Sequence, residues 1–185
     1  MNTIQTFLSQ LGACSEAREY FANASSIEEV VKTCPRGDWG LWLACRLNVD
    51  KRLLTLAKGH CANTVRHLMK DPRSTAAVDA AIAYGEGRIG VDELEEARKG
   101  ARDAANAYYD AYAATYAAVA AAAYHAAAAA AAYAADSAAA YAATAAAYAA
   151  DAASAAARTV NQLATADICR KYLGEFIREK CIFLL

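Results

Sequence analysis

A long segment without any helix-breaking residue constrains this fold most. From Ala101 to Leu173 the chain contains neither glycine nor proline. Between Ala101 and Ala166, which we call the alanine tract, alanine occupies 39 positions. Alanine has the highest helix propensity because it loses no side-chain entropy on folding. The whole segment is therefore predicted to be helical.

The first hundred residues carry start signals for several shorter helices. Ser26 followed by Glu29 is typical of a capping box, in which each residue satisfies a free backbone N–H of the other. Three aspartates are expected to cap further helices with their carboxylates: Asp38, Asp50 and Asp71. No alternating strand pattern competes with these signals. The sequence predicts an all-α protein, a multi-helix bundle with long Ala/Tyr-rich helices.

The large apolar residues divide the chain unevenly. The alanine tract holds only three residues of the types Leu, Ile, Val, Met and Phe. We therefore predict one domain in three parts: an N-terminal helical globular part (1–100), an Ala-rich helical arm (101–166) and a C-terminal helix that packs back on the bundle (167–185). As one rod, residues 101–173 would span roughly 110 Å. A helical hairpin is expected instead, with its turn at Asp136-Ser137.

On a helical wheel the tract places most tyrosines in one sector, opposite a polar stripe. The first three tyrosines of this sector are Tyr108, Tyr112 and Tyr116. Such a face can contact a partner or a second copy, so a homodimer or higher oligomer through the Ala-rich helices is one expectation. Residues 111–135 carry no formal charge, but they lack Leu, Ile and Phe, and no membrane span is predicted.

Composition and missing motifs exclude several classes of function. The net charge of −1 offers no overall attraction to nucleic acid or to an acidic membrane. Six cysteines without a CxxC pair, and a start without a basic signal region, indicate reduced thiols in the cytoplasm. HExxH, GxSxG and a phosphate-binding glycine loop are missing from the sequence. We expect a non-enzymatic protein without metal or cofactor.

Charge is distributed in two opposite blocks. Segment 46–73 has a local charge of +5, and segment 79–96 has a local charge of −5. The blocks can be solvated or attract each other within the fold. Alternatively, the basic side chains bind an anion such as a nucleotide, beside Arg36, Trp39 and Trp42. Those basic residues are Arg46, Arg52, Lys58, Arg66, Lys70 and Arg73.

The most specific string is CPRGDWGLWLACR, at 34–46. It resembles the signature of an immunity-protein family attached to bacterial toxin systems and widespread in phage genomes. The pair Cys61-Ala62, the Ala-rich stretch and the closing segment ATADICRKYL (164–173) agree with this resemblance. The resemblance implies a small cytosolic helical protein that neutralises another molecule. The family has no established catalytic residues that could be assigned to positions of this sequence. The positions it marks as most important are Cys34, Arg36, Asp38, Trp39, Trp42 and Arg170.

Three functions follow as hypotheses. The first is an immunity or counter-defence protein that neutralises a toxin or defence effector through a protein interface. The second is a phage-type sponge that sequesters a small, anionic, nucleotide-like immune signal. The third is a structural, self-associating helical protein. The candidate binding residues are Arg36, Asp38, Trp39, Trp42, Arg46, His60, Arg66, Tyr108, Tyr112 and Tyr116.

Overall fold

The computed structural model describes residues 3–69, 71–112 and 155–182. Within these ranges the chain forms eight α-helices and one 3-10 turn, and no strand, which confirms the all-α prediction. The helices are α1 (Thr3–Gln10), α2 (Ser15–Tyr20), α3 (Ile27–Thr33), α4 (Gly37–Arg46), α5 (Lys51–Asn63), α6 (Pro72–Gly85), α7 (Val91–Tyr112) and α8 (Ala155–Ile182), with the 3-10 turn at Arg66–Leu68.

The long helices cross the boundaries drawn from composition. α7 runs without interruption through position 100, and α8 runs through position 166. The hairpin turn predicted at Asp136-Ser137 lies outside the described residues. No helix in the described part of the chain is both long and apolar enough to cross a membrane.

Several helices start where the sequence predicts. The Ser26 hydroxyl accepts a hydrogen bond from the Glu29 N–H at 3.2 Å, and the Glu29 carboxylate reaches back to the N–H of Ser25 at 2.8 Å. The Asp50 carboxylate accepts from two N–H groups in the first turn of α5. Asp71 accepts from the N–H of the second residue of α6, whose first residue is a proline. These contacts satisfy donors that a helix start leaves free.

The prediction that Asp38 caps a helix is wrong. α4 begins one residue earlier, at Gly37, so Asp38 lies inside the first turn. Arg36 occupies the cap position and makes no side-chain cap. The Asp38 carboxylate instead binds the Arg36 guanidinium through both oxygens. Asp38 is therefore past the cap position, and its carboxylate is occupied by a bidentate, charge-assisted pair.

The main core is built around α8. Cys169, Leu173, Ile177 and Cys181 recur every four residues along this helix, and each is at most 4% exposed. Because residues four apart share one helix face, they form a continuous apolar stripe. The stripe belongs to a core cluster that also includes buried residues of α1, α3, α4 and α5.

Glycines permit a close helix crossing in this core, between α4 and α8. A Cβ atom on Gly37 would lie 2.5 Å from the Cβ of Thr165, and one on Gly40 would lie 2.9 Å from the Cβ of Cys169. Neither distance is compatible with a side chain. The two glycines therefore determine how closely α8 approaches the start of α4.

A second, smaller cluster lies where α5, α6 and α7 pack on one another. Its buried residues are Ala62, Val65, Met69, Val78, Ala81 and Leu94. α5 and α6 approach closely because Gly59 faces Ile82, and a Cβ on this glycine would lie 2.8 Å from the Ile82 side chain. The bundle thus contains an N-terminal part closed by α8 and an α5–α6–α7 part beside it.

Candidate functional site

Arg36 organises the most structured group of polar side chains in the described part of the chain. Its Nε and Nη2 donate to the two carboxylate oxygens of Asp38 at 3.0 and 2.6 Å. Its Nη1 donates to both oxygens of Glu16 at 3.0 and 2.9 Å. The guanidinium carbon also lies 4.7 Å from the centre of the Trp39 ring, within the range of a cation–π contact. The hydrogen bond to Asp38 is the main reason that the pKa of the Arg36 guanidinium lies above its ordinary value.

Three aromatic rings continue this group outward to the surface. The Trp39 ring makes edge contacts with Phe21 at 5.9 Å and with Tyr20 at 5.8 Å. Tyr20 and Phe21 are themselves 4.9 Å apart, and the Tyr20 hydroxyl donates to the carbonyl of Thr33 at 3.3 Å. Phe21 is 4% exposed, whereas Tyr20 is 54% exposed. We call Glu16, Tyr20, Arg36, Asp38 and Trp39 the Arg–aromatic cluster.

The segment that carries this cluster is anchored from below by α8. Arg170 donates from Nη1 to the carbonyl of Cys34 at 2.6 Å, across 136 positions of sequence. The Cys169 thiol donates to the carbonyl of Gly37 at 3.3 Å. The Cys34 thiol donates to the carbonyl of Arg36 at 3.2 Å. These three bonds hold the backbone of the CPRGDWG motif in place. Arg170 and Cys34 thus support the same backbone segment although they are far apart in sequence.

The buried thiols beneath the motif do not form a nucleophilic site. Burial raises the pKa of the Cys34 thiol to about 12. The hydrogen bond with Cys61, together with burial, holds the pKa of Cys169 well above its ordinary value. A thiol attacks as its thiolate, so both groups are unreactive at neutral pH. An apolar cavity of about 30 Å³ lies beside them.

Trp42 and Arg46 form a second pair on α4. The Arg46 guanidinium carbon lies 5.9 Å from the centre of the Trp42 ring, near the outer limit of a cation–π contact. Trp42 is half-buried and lines the same cavity as Trp39, whereas Arg46 is exposed. The two predicted tryptophans therefore contribute to packing, and each holds one arginine at the surface.

The basic side chains of 46–73 are held in separate places. Arg66 binds both carboxylate oxygens of Asp79, with the longer of the two bonds at 2.8 Å. Arg73 pairs with the neighbouring Asp71 at 2.8 Å. The remaining described members differ again in their surroundings: Arg52 donates to the carbonyl of Tyr84, and Lys58 is 2% exposed. The Arg66–Asp79 pair joins the basic block to the acidic one, and each of these four side chains has different surroundings.

His60 belongs to a different contact, between α5 and α8. Its ring stacks on Tyr172, with centroids 4.7 Å apart and planes within 5°. Burial lowers the pKa of His60, and the nearby Lys171 lowers it further. The imidazole is therefore predominantly neutral at pH 7. Nothing joins it to the Arg–aromatic cluster among the contacts of the described residues.

The three predicted tyrosines belong to the alanine tract. Tyr108 and Tyr112 lie within α7, where the structure describes the backbone, and Tyr116 and Lys70 lie outside the described residues. In contrast, the sequence-based list of binding residues missed Glu16 and Tyr20. Tyr20 is exposed at the end of α2, and only the tertiary contact with α4 places its ring against Trp39.

No group of three or more His, Cys, Asp or Glu side chains is placed to hold a metal ion in the described part of the chain. Comparisons with family models, with curated proteins and with solved structures give no match to this chain.

Proposed function

We propose that this chain is a non-enzymatic binding protein that neutralises a toxin or a defence effector through a protein interface. The observation that carries the proposal is the Arg–aromatic cluster, in which Tyr20 and Glu16 are presented to solvent. The Tyr20 residue is 54% exposed and the Glu16 side chain is 68% exposed. The resemblance of the 34–46 motif to immunity proteins supports the same function.

The composition of the cluster suits a protein partner. Tryptophan, tyrosine and arginine are the residue types most enriched among interface hot spots. Here they are fixed before any partner arrives, because the rings contact one another and two carboxylates hold Arg36. A partner that binds a preorganised surface avoids much of the entropy cost of ordering side chains.

The charge balance of the cluster favours a protein over a small anion. Arg36 donates to four carboxylate oxygens, so a phosphate would have to displace Asp38 and Glu16 from it. This is the main argument against the alternative of a nucleotide-like signal. A thermal-shift screen against nucleotides tests that alternative, because a ligand that binds the folded state raises the melting temperature.

Self-association is the third candidate, and one observation favours it. Val160 and Leu163, near the start of α8, are 68% and 47% exposed. They lie in the alanine tract, whose close-packing residues suit contact with a second copy. The test is to compare the molecular mass of Leu163→Ser with that of the unmodified chain by light scattering. If the unmodified chain is an oligomer and Leu163→Ser has the same mass, this face is not the contact between copies.

The interface hypothesis is tested by co-purification from the native host with the effector induced. We expect the tagged chain to retain the effector at a fixed ratio, and Tyr20→Ala to reduce the retained amount about tenfold or more, as for a hot-spot residue. Phe176→Ala is the matched control, because Phe176 is an aromatic residue 38% exposed on α8. Circular dichroism verifies that both variants fold.

Two results would contradict the proposal. One is a chain that retains no protein partner although the effector is present. The other is a partner retained equally by Tyr20→Ala and Phe176→Ala, because the Arg–aromatic cluster would then not be the contact.

A further inference from the structure

A second surface feature lies on the α5–α6–α7 part of the bundle. A groove of about 450 Å³ runs beside the turn that joins α6 to α7. Apolar side chains contribute most of its lining, and charged side chains stand among them. Its lining residues are Asp79, Ala80, Ile82, Ala83, Arg88, Ile89 and Glu93. We call it the α6–α7 groove.

The carboxylates of the groove are held in defined positions. Arg66 fixes Asp79, whose side chain is nevertheless 59% exposed. Glu93 accepts a hydrogen bond from the N–H of Gly90 at 3.1 Å, which anchors it at the start of α7. A partner would therefore meet carboxylates that are already ordered.

The surroundings of the groove carry an excess of negative charge. Between 79 and 96 the chain has six acidic residues, and three of them pair with Arg66, Arg88 and Arg98, which leaves a local charge of −3. Arg88 pairs with Glu86, and Arg98 pairs with Glu95. In the described part of the chain, Glu93 is anchored by a backbone N–H and forms none of these ion pairs. Two of the six acids, Asp92 and Glu96, are exposed on the first turns of α7.

We propose that the α6–α7 groove docks a segment of a partner protein in which an aliphatic side chain is flanked by lysine or arginine. The aliphatic side chain would lie against Ile82 and Ile89, which are only partly buried. The flanking cations would face Glu93, because Arg66 already binds both oxygens of Asp79. Apolar contact supplies affinity, and the acidic surroundings select the sign of the partner's charge. This surface shares no residue with the Arg–aromatic cluster, and its role does not depend on the neutralising function.

Synthetic peptides test the proposal with the full-length chain. The probe is a fluorescein-labelled helical peptide that combines leucine on one face with lysine on the other. One comparison peptide replaces every lysine by glutamate, and a second replaces every leucine by serine. We expect the lysine–leucine peptide to bind in fluorescence anisotropy at physiological salt, and both comparison peptides to bind about tenfold more weakly or worse.

Variants locate the binding on the groove. Glu93→Gln removes the charge but keeps an oxygen that accepts from the Gly90 N–H. Because the variant loses one exposed ion pair with the peptide, we expect it to bind the peptide about threefold more weakly. Glu19→Gln is the matched control, since Glu19 is an exposed acid on α2 outside the groove. Ile89→Ser should also weaken binding of the peptide. If Ile89→Ser does not fold, the comparison of Glu93→Gln with Glu19→Gln is the test.

Three outcomes would overturn the proposal. They are a lysine–leucine peptide that does not bind, equal binding of all three peptides, and a Glu93→Gln variant that binds the peptide as tightly as Glu19→Gln does. A loss of effector retention in Tyr20→Ala with unchanged peptide binding would separate the two surfaces.

Discussion

Lys58 offers the sharpest test of the packing described above. It lies in the middle of α5 and is 2% exposed, one of the largest fully buried side chains of the described residues. Burial lowers the pKa of its amine from 10.5 to about 8, and the neighbouring Cys45 opposes that effect. Replacing it by methionine, Lys58→Met, keeps a long unbranched side chain and removes the charge.

The size of the effect follows from the two pKa values. A pKa lowered from 10.5 to about 8 corresponds to about 3 kcal/mol of penalty on the charged amine in the folded state. Below pH 8 this penalty is fully present, because the unfolded chain holds the proton more tightly than the folded one. As the pH rises from 8 towards 10.5, the folded state loses its proton first, and stability increases. Between pH 7 and 9 the gain is about 1 kcal/mol.

The assay is urea denaturation of the unmodified chain and of Lys58→Met at pH 7, 8 and 9. We expect the methionine variant to be the more stable at pH 7, because it buries no charge. Its advantage should shrink by about 1 kcal/mol by pH 9. The raised pKa of Cys34 and Cys181 lowers stability above pH 9, where unfolded thiols ionise, but it does so in both proteins.

Lys51→Met is the control, since Lys51 is an exposed lysine at the start of the same helix. Its stability relative to the unmodified chain should not depend on pH in this range. A difference between Lys58→Met and the unmodified chain that stays constant from pH 7 to 9 would refute the reasoning, because it would mean that Lys58 does not lose its proton early in the folded state.

Three further predictions concern the same bundle. Gly37→Ala should lower the free energy of unfolding in urea by about 2 kcal/mol, because its Cβ would meet α8. Gly100→Ala, whose Cβ would have its nearest neighbour at 3.9 Å, should be neutral or stabilising. Equal effects of the two substitutions on stability would contradict the close approach of α4 and α8. Asp50→Ala should cost about 1 kcal/mol through loss of the α5 cap, and an unchanged midpoint would argue against that cap. Iodoacetamide at pH 8 should label the exposed Cys14 and leave Cys169 unmodified in the folded protein, as read by mass spectrometry, and rapid labelling of Cys169 would contradict its burial.

How much of the site could be predicted depends on the range of each interaction. The motif at 34–46 draws attention to Arg36, Asp38 and Trp39 from sequence alone, and the structure does bring these three side chains together. It also suggests the wrong role for Asp38, because the competition between a backbone N–H and a neighbouring guanidinium is decided by side-chain geometry. Glu16 could not be predicted as a partner, since it lies on another helix, 20 positions earlier.

The α6–α7 groove shows the same division. The sequence shows an acidic block at 79–96 and a turn rich in glycine. It does not show that Asp79 on α6 and Glu93 on α7 line one groove. It also does not show that Arg66 is committed to Asp79 and so is removed from any basic patch.

The sequence by itself determined the helical character of the described chain and the starts of α3, α5 and α6. These depend on alanine propensity and on bonds between a cap and residues two or three positions away, which need no tertiary contact. Only the tertiary structure decided that Arg170 holds the Cys34 carbonyl and that Thr165 faces Gly37. Those contacts join residues more than 100 positions apart, and they form because α8 must bury its apolar stripe against the N-terminal helices.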